Sequence, residues 1–505
     1  MTVSGRCRQT VPFTVRTAVP TMAMTRWLVA VSVVGVALGI VTSPASAAPG
    51  KKLEAYGYVV LAPGSSDGSS GPVQALARVV IAAPSEPCPK LSPGHRPMTP
   101  RTNPNPTTFA VTVCEAVYPI GESLHVDGLG ITLPKVSSKQ PEKIIVVGDT
   151  GCLNNSDQDC KTEWPFPALA KAAASLHPDL VIHLGDYNYR GTPRTVNGQQ
   201  VYNGCAVTSY VSQNPENDPG STSWDRWENW RDDFFRAAAP LLEEAPWVFT
   251  RGNHELCSQA GPGYFFFLDP HSTLLGQDPA LYQCPAQVNG SAPFPNLTFV
   301  ALYALPFDKG LSLVVMDSAN ACDNPTPVTN ALAIYTAQFA GLPDLIQGQY
   351  AWLATHRPIW GVRVNQPSVD CAASSGTCLN AVLHEAIRAS LGELPPAVTL
   401  PLAGHMHLFE AVNFDTVGRP PQLVIGTGGV ALAGTSVTDF TADHLDGQDA
   451  HGVQLNDFGF FEIHLHHDGQ WKGRLLDGKH RGDVLADCGS KEFSKSGSVC
   501  KLTGK

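Results

Sequence analysis

Five short sequences in this chain carry side chains able to hold cations and move protons. They are Gly148-Asp149-Thr150-Gly151, Gly185-Asp186-Tyr187-Asn188-Tyr189, Gly252-Asn253-His254-Glu255, His356-Arg357-Pro358 and Gly404-His405-Met406-His407. Together they supply seven donors of carboxylate, phenolate, amide and imidazole type: Asp149, Asp186, Tyr189, Asn253, His356, His405 and His407. Hard and borderline donors of this kind suit a metal centre. A single ion with positions left open for substrate rarely needs more than about four protein donors. Two ions sharing a bridging carboxylate use seven naturally. Two metals ~3.5–4 Å apart can hold both the attacking and the leaving oxygen of an in-line displacement at phosphorus. Singly, each block is weak, because a Gly-Asp pair is commonly a turn and a lone His commonly a packed or solvated residue. Their weight comes from a shared position.

That position is the end of a strand. Lys143–Val147, Leu180–Leu184, Trp247–Thr250, Gln349–Ala354 and Val398–Ala403 are short apolar runs of the buried-strand type, and each leads into one block. In open α/β sheets the ligand site lies beyond the carboxyl ends of the strands. From Lys143 onward strands alternate with helices, the pattern of an α/β domain. Phe166, Leu169, Ala170, Ala173 and Leu176 recur at helical spacing, and Pro178 ends that helix. Trp224, Trp227, Trp230 and Phe234 form a second helical stripe, read as core. Leu311–Met316, Leu423–Ile425 and Phe458–Leu465 are further strands.

Residues 51–138 read differently, as a small β-rich module with strands at Tyr56–Leu61, Val73–Ile81, Phe109–Val113 and Leu124–Leu133. No catalytic cluster falls there, so it is read as a packing or spacer domain. Val136–Pro141 is the linker, residues 143–485 are the catalytic domain, and 486–505 form a tail tied by a disulfide.

The 505 residues carry 34 Lys plus Arg and 44 Asp plus Glu, a formal charge of −10. This acidic balance argues against nucleic-acid binding, which favours a basic face. Trp27–Val41 is an uncharged apolar run behind Arg26, followed by Ser43-Pro44-Ala45-Ser46-Ala47, so residues 1–47 read as a signal peptide. An uncleaved anchor is the alternative, but the run falls short of the ~20 residues that span a bilayer. Cleavage after Ala47 leaves no stable membrane anchor and places the chain in a secreted or periplasmic, extracytoplasmic setting. It removes four Arg and Cys7, leaving 30 basic against 44 acidic residues, a formal −14, and twelve Cys. An even number of Cys in an exported chain points to disulfides. The local pairs are Cys88–Cys114, Cys152–Cys160, Cys257–Cys284, Cys371–Cys378 and Cys488–Cys500, which leaves Cys205 with Cys322.

The five blocks resemble those of the calcineurin-like metallophosphoesterases, and within them the purple acid phosphatases. Many relatives carry Asp-x-His in the first block; here Gly151 stands at the His position, and Tyr189 of the second block takes the place of the missing imidazole. The resemblance spans roughly residues 143–465. It implies an α/β fold, a four-layer αββα metallophosphoesterase sandwich, here preceded by the small all-β domain. It implies a ferric ion on Asp149, Tyr189 and His407, a divalent ion (Zn, Fe or Mn) on Asn253, His356 and His405, and Asp186 as bridge. His254 would hydrogen-bond the phosphate or protonate the leaving group. The activity implied is hydrolysis of small-molecule phosphate monoesters by metal-bound hydroxide. The alternatives are a phosphodiesterase or nucleotide esterase on the same site and, in a different class, a catalytically silent cell-surface binding protein.

The sequence departs from its relatives after the fourth block, where Ile359–Asn365 lacks further His; Arg363 is a candidate phosphate contact there. Two insertions, Arg190–Thr222 and Ser258–Asn296 with its Phe265-Phe266-Phe267, could wall the pocket or be surface loops. Glu255 could orient His254 or make a structural hydrogen bond. His183 reads as a packed strand residue, and His464, His466 and His467 as structural. Gly426-Thr427-Gly428-Gly429 lacks the Lys-Ser/Thr of a phosphate loop and reads as a turn. No H-E-x-x-H is present, and Gly64-Ser65-Ser66-Asp67-Gly68 lies in a loop with no helix pattern after it, so a zinc peptidase and a serine hydrolase are disfavoured.

Overall fold

Apolar runs such as Ile-Ile-Val-Val and Leu-Val-Ile can be buried on both faces, and they take the middle of two large sheets. In the first, Lys143–Val147 pairs in parallel with Leu180–His183, which pairs in parallel with Trp247–Phe249. Ala55–Ala62 joins next, parallel through Val60 and Trp247, followed by antiparallel Gln74–Ile81 and Thr112–Val117. On the other side Gly459–Leu465, Trp471–Asp477 and Val484–Gly489 run antiparallel. Among the described residues eleven strands make up this sheet. The second sheet has eight, with Leu311–Val315, Tyr350–Ala354, Val398–Ala403 and Gln422–Ile425 parallel at its centre. The computed structural model describes residues 53–137, 139–153, 158–190, 195–196, 199–200, 225–257, 259–284, 298–321, 329–362, 380–416, 418–434, 436–478, 482–495 and 499–503.

Strand alternation builds the layers. In the second sheet Leu313, Trp352, Ala354, Leu400 and Leu402 join a core with Ile145, Val181 and Phe461 of the first sheet. Their neighbours Val314, Ala351, Leu353 and Val398 turn the other way, into a second core with Tyr335, Phe339, Val382 and Leu383. Those four lie on the helices Thr329–Leu345 and Ala381–Ser390. Helices Phe166–Ala174 and Arg236–Leu242 pack on the first sheet. The result is the expected αββα order.

Several local expectations are corrected. The strand expected at Phe109–Val113 begins instead at Thr112 and runs to Val117, and Phe109 is core. Leu124–Leu133 is a hairpin of Leu124–Val126 and Ile131–Leu133, turning at Gly128 and Gly130, both at positive φ. The aromatic stripe passes through a π turn at Arg231–Phe235, which puts both Phe234 and Phe235 inward. Phe265, Phe266 and Phe267 belong to the buried helix Gly261–Phe267, so they are core and not a pocket wall. Among the described residues 53–137 there is no helix.

Disulfides join Cys88–Cys114, Cys152–Cys160, Cys257–Cys284 and Cys488–Cys500. The other two expected pairs, the signal peptide, Trp224, Arg363 and most of the insertion after Tyr189 lie outside the described residues. No helix among the described residues is long and apolar enough to cross a membrane.

Candidate metal centre

The first three blocks leave the carboxyl ends of parallel strands in the first sheet, and the last two leave those of the second. The blocks are laced to one another by backbone hydrogen bonds. Asp149 N–H donates to the Gly185 carbonyl at 2.9 Å, and Gly404 N–H to the His356 carbonyl at 2.8 Å. The glycines ahead of Asp149, Asp186, Asn253 and His405 are packing requirements. A Cβ on Gly252 would strike the Asp186 side chain, and one on Gly404 would strike Asp149 Oδ2. Asp149, Asp186, His405 and His407 have φ of 57°, 59°, 73° and 52°. L-residues avoid this region at a cost of roughly 1–2 kcal/mol each, and four such residues converging at one place mark a functional constraint.

The predicted donors form two overlapping groups. Asp149, Asp186 and His407 offer ligand atoms within 4.8 Å of one another, and so do Asp186, His356 and His405; Asp186 is common to both. Tyr189 adds its hydroxyl to the first group, 2.9 Å from Asp149 Oδ1, 2.9 Å from Asp186 Oδ2 and 3.1 Å from His407 Nε2. Asn253 adds Oδ1 to the second, 2.9 Å from His356 Nε2. His254 stacks on Tyr189 with ring centroids 4.2 Å apart, and its backbone N–H donates to Asp186 Oδ1 at 2.9 Å. Asp149, Asp186, Tyr189, Asn253 and His356 are buried, while His254, His405 and His407 are partly open and form the mouth.

The chemistry of these atoms fits cations. Nδ1 of His356 donates to the Leu184 carbonyl at 2.7 Å, so the lone pair of the neutral ring lies on Nε2. That nitrogen faces two oxygens, Asn253 Oδ1 at 2.9 Å and Asp186 Oδ2 at 3.2 Å. Acceptors facing acceptors need either an extra proton or a metal between them. Without metal the proton prevails: burial opposes a charged His356, but the Asp186 carboxylate outweighs it and raises the ring to about 9. Burial, joined by the Asp186 charge, pushes Asp149 upward. Burial also lowers His407, to about 3. The Tyr189 phenol likewise has one proton for three neighbours. Gly151 explains why a phenol stands here. A Cβ at that position would come within 2.9 Å of Tyr189 Cδ2, so the tyrosine ring fills the space a side chain from the first block would need.

Some supporting residues had been weighed and others missed. Glu255 takes the structural alternative. Its carboxylate accepts from the backbone N–H groups of Asp186 at 2.9 Å, Tyr187 at 2.9 Å and Gly252 at 3.1 Å, and so fixes the second block. His183 is buried, with Nε2 2.8 Å from the Thr150 hydroxyl. Gly428 N–H donates to the Gly148 carbonyl at 3.0 Å, so the glycine-rich turn braces the first block. Asp317 and Ser318 were missed. Asp317 pairs with Arg251 at 2.7 Å, and the Ser318 hydroxyl accepts from the backbone N–H groups of His356 and Arg357. They too follow a strand, Leu311–Val315, but carry no metal-type pattern that would have singled them out.

The calcineurin-like phosphoesterase family matches residues 142–408. No curated protein matches the sequence. Among solved structures, the purple acid phosphatase PPD1 from yellow lupin (Lupinus luteus) seeds is 11% identical, covers 89% of this chain and 77% of its own, and superposes with a TM-score of 0.48. PhoD is 12% identical over 89% of this chain and 92% of its own, with a TM-score of 0.47.

Proposed function

The chain belongs to the calcineurin-like phosphoesterases and is a metal-dependent phosphoric ester hydrolase; from that premise we propose that it is an exported, purple-acid-phosphatase-like phosphomonoesterase. The observation that carries the finer reading is the Tyr189 hydroxyl, in hydrogen-bond reach of Asp149, Asp186 and His407 together. A phenolate is a hard anionic donor suited to Fe(III). Asp149, Tyr189 and His407 would hold the ferric ion; Asn253, His356 and His405 the divalent one, Zn, Fe or Mn; Asp186 would serve both. When bound, the cations supply Lewis-acid stabilisation of the phosphoryl oxygens and acidify a water nucleophile.

The chain's own groups prepare that site. The Leu184 carbonyl fixes the His356 ring at 2.7 Å with Nε2 facing inward. Glu255 holds the second block by its backbone. His254, stacked on Tyr189 at the mouth, is the residue placed to donate to a phosphoryl oxygen or to the leaving group.

The test is the ratio of kcat/KM for an aryl phosphate monoester and its diester, on protein loaded with both metals. A monoester preference is expected; a diester preference makes the protein a phosphodiesterase and rejects the proposal. Tyr189→Phe is expected to lose both the visible charge-transfer band and the iron. The four disulfides among the described residues suit an oxidising compartment, and N-terminal sequencing of the exported protein is expected to start at Ala48.

A further inference from the structure

Arg357 follows directly on His356, is fully buried, and sends Nη1 to Nε2 of His405 at 2.9 Å. A guanidinium can only donate, so Nε2 must be the acceptor nitrogen of the His405 ring. A neutral imidazole has one such nitrogen. His405 also belongs, with Asp186 and His356, to a group whose ligand atoms lie within 4.8 Å of one another. A cation held there needs the lone pair that Arg357 now uses. Arriving at Nε2, it takes the place of Nη1. Arriving at Nδ1, it drives the ring proton to Nε2, where N–H would face N–H. By either route the cation and the Arg357 contact exclude each other. In the other half of the centre His407 Nε2 faces the Tyr189 hydroxyl at 3.1 Å and Asp149 Oδ1 at 3.7 Å, groups that would share a cation with it and not compete for it.

Resting on the dinuclear reading above, we infer that Arg357 is a positioning residue that competes with the divalent ion for His405, and that metal loading frees its guanidinium to meet the phosphoryl group. Its backbone is pinned, since its N–H donates to the Ser318 hydroxyl at 2.7 Å, so only the side chain needs to move. The freed fork of donors lies next to His405 at the mouth and matches the geometry of phosphoryl oxygens. Three consequences follow. The divalent half binds more weakly than its partner. Phosphate tightens it, by giving the displaced guanidinium a new acceptor. Both effects depend on Arg357.

Equilibrium dialysis of the intact metal-free protein against Zn(II), with and without inorganic phosphate, tests this. The native protein is expected to show one tight and one weak zinc, the weak one tightened by phosphate. Arg357→Gln is expected to tighten the weak zinc by about tenfold, as befits loss of a charged competitor, to leave the tight one unchanged, and to abolish the phosphate enhancement. Arg357→Lys, which keeps the charge without the fork, is expected to fall between the two. An unchanged or weaker second zinc in Arg357→Gln, with a native Tm, overturns the inference. If that variant does not fold, Arg357→Lys decides, and native values for both affinity and phosphate enhancement overturn it. A native protein that binds no zinc would instead reject the dinuclear reading itself.

Discussion

Two of the buried polar clusters among the described residues are built on opposite principles. At the strand ends acceptors face acceptors: His356 Nε2 lies 2.9 Å from Asn253 Oδ1 and 3.2 Å from Asp186 Oδ2. Where the N-terminal strands meet the helix Gly261–Phe267, the buried carboxylate of Glu115 faces donors. Glu115 takes Arg78 Nε at 3.3 Å, Arg101 Nη1 at 3.0 Å and the Ser272 hydroxyl at 2.5 Å. Arg78 and Arg101 also donate to the carbonyls of Phe267 and Phe265. Burial and charge are common to both, so neither marks a functional site. The mismatch does. In the structural network the carboxylate meets guanidiniums supplied by the chain, whereas the strand-end cluster is incomplete without a positive charge.

The comparison breaks most readily at Asp186, the carboxylate common to both donor groups. Asp186→Asn keeps an oxygen for the His254 N–H but removes the shared anion. Lewis-acid stabilisation amounts to several kcal/mol, and each 1.36 kcal/mol is tenfold in rate, so kcat/KM should fall by about 10³ or more. The same change relieves a repulsion with Asp149 but also removes the partner of the protonated His356 ring, so the telling quantity is the rise in Tm on adding metal, which should shrink in the variant. A metal-induced rise in Tm as large as the native protein's would mean that Asp186 is not the shared anion of the centre.

Glu115→Ala is the mirror experiment. It strands two buried guanidiniums, and breaking a buried pair by removing one partner costs about 3–5 kcal/mol. Urea unfolding should reveal that loss, while kcat/KM per folded molecule stays near native. A large loss of activity without a loss of stability would show that the N-terminal strands act on the chemistry and not only on the packing.

The two clusters also differ in how far the sequence exposed them. The donors at the strand ends sit in blocks of a few residues, each behind a strand whose apolar run is plain, so type and place could be read together. Strand ends whose neighbours are structural gave no such signal: Asp317 and Ser318 follow Leu311–Val315 but offer no metal-type pattern. Arg357 was visible only as the middle of a block. The second cluster was not legible at all. Its members come from Gln74–Ile81, Arg101, Thr112–Val117 and the segment after Phe267, and only the fold brings them together. The pairing of Val60 with Trp247, which makes the N-terminal strands part of the catalytic sheet, is long-range in the same way. A local pattern can announce a donor, but it cannot announce a partner from a distant segment.

The smallest predicted effect concerns His271, at the edge of the second cluster. Its Nδ1 lies 2.9 Å from Asp269 Oδ1 and its Nε2 lies 3.1 Å from the Gly68 carbonyl. Both neighbours are acceptors, so both nitrogens must carry hydrogens, and the ring is an imidazolium. Burial alone would depress its pKa; the Asp269 carboxylate and the two hydrogen bonds outweigh that and raise it, against the opposing charge of Arg101. The other groups on the ring are Tyr282, stacked at 6.2 Å, and Tyr303, edge-on at 5.8 Å, and Ser272 couples it to Glu115. A pKa raised in the folded state means that folding takes up a proton. The stabilisation is therefore complete below the ordinary histidine value of ~6.5 and is lost as pH rises through the folded value. The urea midpoint of the native protein should fall across that window, by less than the Glu115→Ala effect. His271→Gln, which reaches one acceptor but not both, should be less stable than native at low pH and converge on it at high pH. A gap between the two that does not change with pH would mean a neutral ring, with one of the two contacts not a hydrogen bond, and the second cluster would then share the acceptor mismatch that singles out the first.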